Sequence, residues 1–167
     1  MNKTGHPQVD EFLESLAGVP WMQGGGKLPY NVEIFETRDD AEVWCNRNGK
    51  DVGIHAMWHE VRSSLLHDIR GSDIHDLLVE LWKEANKVIV KNITENPKME
   101  RATGNASAHA YLLTAVLLRK DLGLRVERKY EDHVLKIWQC WQAGYGVYCD
   151  TTHPEYGEII LICYRRA

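Results

Sequence analysis

The stretch that decides the predicted fold is "EIILICYRR", residues 158–166. Five consecutive apolar residues, 159–163, lie between a glutamate and an arginine-rich end. A strand with one solvent face alternates apolar and polar residues, whereas an unbroken apolar run is typical of a strand buried on both faces. The run therefore predicts a central β-strand. It also predicts helices against both faces of the sheet, unless a partner covers one of them.

Two further stretches complete the predicted sheet. "GVYCDT" (146–151) and the central strand flank the turn "HPEYG" (153–157), which predicts a C-terminal β-hairpin. "NVEIFE" (31–36) reads as a third strand, and "LRVERKY" (124–130) is a further strand candidate. The expected sheet is small and mostly antiparallel.

Helical spacing of apolar residues dominates the rest of the chain. It predicts about six helices, at residues 7–17, 37–49, 54–70, 72–90, 106–121 and 131–144. The third and fourth are joined by Gly71 and Ser72 and are expected to form an antiparallel helical hairpin. The chain is thus predicted to be one helix-rich α+β domain over residues 1–167. Its core is expected to include the side chains of Ile160, Ile162, Trp82 and Trp138.

Composition limits the classes of function. The chain has 167 residues, 44% hydrophobic content and a formal net charge of -4, which fits one globular domain and disfavours a dedicated nucleic-acid binder. No apolar run approaches the ~20 residues of a membrane helix, and the first residues hold no signal core. Four cysteines without a CxxC pair predict free thiols. We therefore expect a soluble cytoplasmic protein that does not bind membranes.

The glycine-rich stretch "WMQGGGKLP" (21–29) raises the possibility of a phosphate-binding loop. A Walker-type loop has the pattern GxxxxGK followed by Ser or Thr, between a strand and a helix. Here Trp21 stands at the first glycine position and Leu28 at the hydroxyl position. The order of predicted elements is also reversed. The stretch is therefore interpreted as a connector, and no cofactor loop is expected.

Histidines give the first set of candidate site residues. His55 and His59 are four residues apart on a predicted helix, which suits two imidazoles that share a divalent metal. Ser63 stands where HExxH would need its second histidine, so a third ligand has to come from His67, His109 or a carboxylate. The simpler interpretation is the solvent side of an amphipathic helix. No cofactor other than such a metal is predicted.

Two His-Asp pairs flank the predicted hairpin turn. His67 and Asp68 end one helix, and His75 and Asp76 begin the next, so His67, Asp68 and His75 are candidate catalytic residues. The alternative explanation is helix-dipole chemistry, which favours histidine at C-termini and aspartate at N-termini.

A further candidate is a thiol–imidazole pair formed by Cys149 and His153 beside Asp150. Its plainer explanation is a small core cysteine in an alternating strand and a histidine in a turn.

Charged clusters give two candidate binding surfaces. An acidic cluster, suited to a basic protein partner, comprises Glu33, Glu36, Asp39, Asp40 and Glu42. A basic cluster, suited to nucleic-acid phosphates, comprises Arg119, Lys120, Arg125, Arg128 and Lys129. Either cluster is also explained as a solvated surface.

These observations favour a small cytoplasmic regulator or inhibitor that binds another protein, of a size that suits a bacterial or phage accessory protein. The first alternative is a metal-dependent, phosphohydrolase-like hydrolase that uses the hairpin histidines. The second is a nucleic-acid-associated protein that uses the basic cluster. The sequence carries no strong catalytic motif and leaves the oligomeric state open.

Overall fold

The computed structural model describes residues 4–17, 27–50, 57–95, 106–152, 155 and 157–165. Within these residues the chain forms six helices and one three-stranded sheet. The helices are α1 (Pro7–Ala17), α2 (Arg38–Arg47), α3 (Trp58–Leu66), α4 (Asp73–Glu95), α5 (Ala106–Asp121) and α6 (Arg128–Gln142). The strands are β1 (Val32–Phe35), β2 (Tyr145–Thr152) and β3 (Ile159–Arg165). The predicted helix-rich α+β fold is confirmed.

Strand β3 is the centre of the sheet, as its apolar run predicts. The strand order is β1-β3-β2, with β2 antiparallel and β1 parallel to β3. Cys163 of β3 stands opposite Val147 on one side and Ile34 on the other. The C-terminal strand pair is thus present as expected. The sheet is mixed rather than mostly antiparallel as expected, because the chain passes through five helices and β2 between β1 and β3 and returns parallel to β1.

Helices cover both faces of β3. Leu161 and Cys163 point into the larger core. Side chains of β2, β3, α1 and α3 to α6 form this core. Ile160, Ile162 and Tyr164 point into a smaller core under α2. Ile160 and Ile162 are both buried, as predicted. The unbroken apolar run therefore reflects burial on two sides.

Helix α2 is held against the sheet by its local sequence. The Thr37 hydroxyl accepts a hydrogen bond from the Asp40 backbone N–H at 3.1 Å, which caps the first turn. Asp39 and Asp40 lie in that turn, where the helix dipole favours negative charge. Ala41 and Cys45, four residues apart, are fully buried against the strands. The outer face of α2 is thereby left to solvent.

Helix α5 is the centre of the larger core and contacts α1, α3, α4 and α6. Its buried side chains lie on several sides of the helix, as expected for an element surrounded by others. Helices α3 and α4 follow each other through the turn at Gly71, as the sequence predicts. However, the two helices do not pack extensively on each other as the predicted antiparallel hairpin requires: α3 packs mainly on α5, and the extensive contacts of α4 are with α5 and α1.

Two sequence-based expectations need correction. The predicted strand at 124–130 is wrong, because residues 124–127 form no strand and Arg128 begins α6. Tyr130 and Val134, four residues apart, are both buried in the larger core, and this spacing favours a helix. Trp82 and Trp138 are half-buried rather than buried. No helix in the described part of the chain is long and apolar enough to cross a membrane.

Candidate functional site

The predicted acidic cluster lies on β1, the following turn and α2, and all of its side chains are exposed. We call this set the acidic surface; its members are Glu33, Glu36, Asp39, Asp40 and Glu42. Residues 30–47 contain these five carboxylates but only two basic residues, Arg38 and Arg47. One carboxylate, Glu36, pairs with Arg165 of β3 at 3.1 Å. The unit as a whole is negatively charged.

Exposed apolar side chains accompany these carboxylates. Ile34 of β1 is 38% exposed and Val43 of α2 is 46% exposed. Tyr30, just before β1, is also exposed, and the Lys136 ammonium lies over its ring at 4.3 Å. These are three of the five large hydrophobic side chains that are exposed in the described part of the chain. Val43 therefore gives apolar contact area beside the carboxylates of α2, whereas Ile34, paired with Cys163, lies on the larger-core side of the sheet.

Strand β1 is also an edge strand, so one of its sides faces away from β3. The Leu161 N–H donates to the Asn31 carbonyl at 3.0 Å, so the backbone N–H and C=O groups of Asn31 face β3. These groups alternate in direction along a strand, so those of Val32 and Ile34 point away from β3. Among the described residues, no strand pairs with this outer side.

A buried tyrosine lies under α2. The Tyr148 ring is 2% exposed, and the Arg38 guanidinium is 5.6 Å from its centre. Burial raises the pKa of Tyr148 to about 12, and the negative charge of Glu42 contributes to the shift. The phenol is therefore neutral at physiological pH and acts as packing under the acidic surface.

A polar groove beside α3 brings together residues from two different predicted sites. His67 and Asp68, candidate catalytic residues, line it together with Arg119 and Arg125 of the basic cluster. Arg119 is buried, and its guanidinium binds Asp68 at 2.6 Å and the carbonyls of Leu65 and Arg125. This hydrogen bonding lowers the pKa of Asp68. Arg119 thus joins α3, α5 and the segment before α6.

Three of the other four cations of the basic cluster lie near carboxylates. Lys120 binds Glu131 at 2.7 Å. Lys129 lies 3.2 Å from Glu60, which also accepts a hydrogen bond from Tyr130. These contacts, led by the Tyr130 hydrogen bond, lower the pKa of Glu60.

Arg128 lies 4.0 Å from Asp132, and Arg125 is exposed. The neighbouring carboxylates reduce the positive charge that phosphates would meet. The nucleic-acid role of the basic cluster stays a prediction.

Three histidines of the predicted metal and catalytic sites, His59, His67 and His75, lie in the α3–α4 region. His59 and His67 are exposed, and His75 is half-buried at the start of α4, where its backbone N–H binds the Ser72 hydroxyl. His55 lies outside the described residues. No group of three His, Cys, Asp or Glu side chains that could hold a metal occurs in the described ranges. The metal and hairpin-histidine sites stay predictions.

A buried His-Asp pair that the sequence reasoning missed lies between α6 and β2. His133 Nε2 is 3.3 Å from Asp150 Oδ2, which also accepts a hydrogen bond from the Met57 N–H at 2.8 Å. His109, one of the suggested third metal ligands, lines the same small cavity and stacks edge-on against Trp58. The cavity has room for about one water molecule, so these side chains join elements rather than hold a substrate.

Of the predicted thiol–imidazole pair, the structure describes Cys149 only, because His153 lies outside the described residues. Cys149 is buried, and its sulfur lies 3.7 Å from that of Cys45. Burial raises the pKa of the Cys149 thiol, which opposes its use as a nucleophile.

No protein-family model, no curated protein sequence and no solved structure matches this chain.

Proposed function

We propose that the protein is a cytoplasmic regulator or inhibitor that binds a basic protein partner through the acidic surface. The observation that carries the proposal is the exposure of all five carboxylates on one strand–helix unit. Complementary charge speeds association and selects among partners. A negatively charged unit therefore fits a partner with a lysine- or arginine-rich surface.

The unit is suited to binding because its backbone is held in place. Thr37 caps α2, and Ala41 and Cys45 anchor the helix on the sheet. A surface that is ordered before binding loses less conformational entropy in the complex. The exposed side chain of Val43, one turn after Asp39 on α2, adds apolar area, which stabilises the complex after charge has guided the encounter.

Strand β1 offers a specific docking mode. An extended segment of the partner pairs with the outward backbone groups of Val32 and Ile34, as in other cases of strand addition. Basic side chains of that segment then lie near Glu33. A short acidic edge disfavours pairing with a second copy of this chain, because like charges would meet there.

The proposal is tested by capture from a lysate of the source cells with three immobilised baits. These are the unchanged protein, Asp39→Lys with Asp40→Lys, and a matched control, Glu11→Lys with Glu14→Lys on α1. Both double variants change the net charge equally, and Glu11 and Glu14 are also exposed. We expect a basic protein that the unchanged bait and the α1 control retain and the α2 variant loses. Circular dichroism checks that all three are folded.

Two outcomes oppose the proposal. Equal loss in both double variants means that only the net charge matters. Retention by the α2 variant combined with loss in His67→Ala favours the hydrolase alternative, in which the acidic surface has no role.

A further inference from the structure

The four cysteines meet in two buried pairs, one on each face of the sheet. The sulfur atoms of Cys45 on α2 and Cys149 on β2 are 3.7 Å apart. Those of Cys140 on α6 and Cys163 on β3 are 3.8 Å apart. All four are free thiols in this structure, and none is more than 3% exposed. Every cysteine of the chain therefore has another cysteine as its neighbour.

We propose that these pairs are two disulfide sites, Cys45–Cys149 and Cys140–Cys163, which close when the chain folds in the presence of a small-molecule disulfide. Four cysteines allow three pairings in principle. The fold selects this one, because Cys45 and Cys149 belong to the core under α2 while Cys140 and Cys163 belong to the larger core. Any other pairing has to cross the sheet.

The contact distances suit bridge formation without a change of fold. A disulfide bond is about 2.05 Å long, so each pair has to close by about 1.7 Å. Rotation about the Cα–Cβ bonds of two short side chains moves the sulfur atoms on this scale. In each pair a helix residue faces a strand residue, so a bridge would fasten α2 or α6 to the sheet.

The chemistry is thiol–disulfide exchange. The thiolate of one cysteine attacks a sulfur atom of the small-molecule disulfide and releases one small thiol. The thiolate of the second cysteine then attacks the protein sulfur of this mixed disulfide and releases the second small thiol. Two cysteine thiols are oxidised to one bridge, and one small disulfide is reduced to two thiols. Each proton lost by a cysteine ends on a released thiol.

Burial determines when this exchange takes place. It raises the pKa of the Cys45 and Cys149 thiols, so little thiolate is present in the folded protein. The same cysteines are accessible to solvent before the chain folds. The bridges therefore form during folding, and the folded, reduced protein reacts slowly with the same oxidant.

The test is refolding of the reduced, unfolded chain with glutathione disulfide as the oxidant. Free thiols are then alkylated, the protein is digested without reduction, and linked peptides are identified by mass spectrometry. We expect Cys45 linked to Cys149 and Cys140 linked to Cys163, with two hydrogens lost per bridge. In Cys45→Ala only the Cys140–Cys163 link should form, and in Cys140→Ala only the Cys45–Cys149 link.

Three results would overturn the proposal. The first is either of the other two pairings in the natively folded product. The second is a native circular dichroism spectrum with all four thiols still open to alkylation after unfolding. The third is a chain that regains the native spectrum with reductant but not with oxidant, because the bridges would then be incompatible with the fold. The oxidised form should also unfold at higher denaturant concentration than the reduced form.

Discussion

Replacing Ile162 with alanine tests the arrangement of the sheet most sharply. Ile162 is fully buried in the core under α2, on the central strand. The change removes three buried carbon atoms, at about 0.8 kcal/mol for each methylene-sized group, or roughly 2.4 kcal/mol of transfer free energy. The cavity that remains adds to this, so the free energy of unfolding should fall by about 3–4 kcal/mol in total, within the range of about 2–5 kcal/mol typical of buried isoleucines.

Ile34→Ala is the matched control, since it makes the same substitution in the same sheet. Ile34 lies on the edge strand and is 38% exposed. The substitution removes less buried apolar area there, and solvent reaches the site, so we expect the free energy of unfolding to fall by about 1–2 kcal/mol. The smaller intrinsic strand propensity of alanine affects both variants and largely cancels in the comparison.

The assay is urea unfolding followed by circular dichroism. With a slope of about 2 kcal/mol per molar urea, Ile162→Ala should lower the midpoint by about 1.5–2 M at an unchanged slope. Ile34→Ala should lower it by less than about 1 M. Equal shifts in the two variants, or a larger shift for Ile34→Ala, would refute the placement of β3 between two cores.

Three further predictions concern buried polar groups. Arg119→Met should lower the free energy of unfolding in urea by about 2–4 kcal/mol, because it leaves Asp68 and the carbonyls of Leu65 and Arg125 without their donor. Lys120→Met should lower it by under about 1 kcal/mol. Between about pH 10 and 12 the free energy of unfolding should fall more steeply in the unchanged protein than in Tyr148→Phe, because Tyr148 ionises more readily in the unfolded chain; the buried thiols of Cys45 and Cys149 add a decline that both proteins share. His133→Ala should lower the free energy of unfolding by about 1–3 kcal/mol, since Asp150 stays buried but loses its imidazole neighbour. An unchanged melting curve would show that the pair does not contribute to stability.

Local sequence patterns are sufficient for much of the fold. Residues 159–163 predict the central strand because unbroken apolar runs are rare outside interiors. Helices α1 and α5 have the predicted bounds, since Pro7 suits a first turn and Gly123 suits the stop after α5. The segment 124–130 was misassigned because its alternating pattern is short, and burial of Tyr130 on the α6 stripe outweighs it.

Arg119 shows how a local interpretation of charge fails. Beside Lys120 it reads as part of a basic surface cluster. However, it follows Leu112, Ala115 and Val116 at helical spacing, and these residues are all buried. The stripe therefore carries a signal that Arg119 faces the interior. Its partner Asp68 is 51 residues away, so no local pattern indicates the pairing.

The buried His133–Asp150 pair was missed for a similar reason. In the sequence Asp150 stands between Cys149 and His153, so the local pattern suggests a thiol–imidazole pair and does not indicate a partner on another element. The structure joins Asp150 to His133 because α6 packs against β2. Contacts of this kind depend on how elements pack, which periodicity alone does not specify. Exposure of the acidic surface, by contrast, follows from its charges, while its role in binding remains a proposal.

Hydrogen–deuterium exchange of the protein with and without its captured basic partner tests the central claim most directly. The partner is the protein that the unchanged bait retains and Asp39→Lys with Asp40→Lys loses. The proposed binding mode predicts slower exchange of backbone amides in residues 32–43, including those of Val32 and Ile34 on the outer side of β1. Slower exchange confined to the groove around His67, with residues 32–43 unchanged, would contradict it.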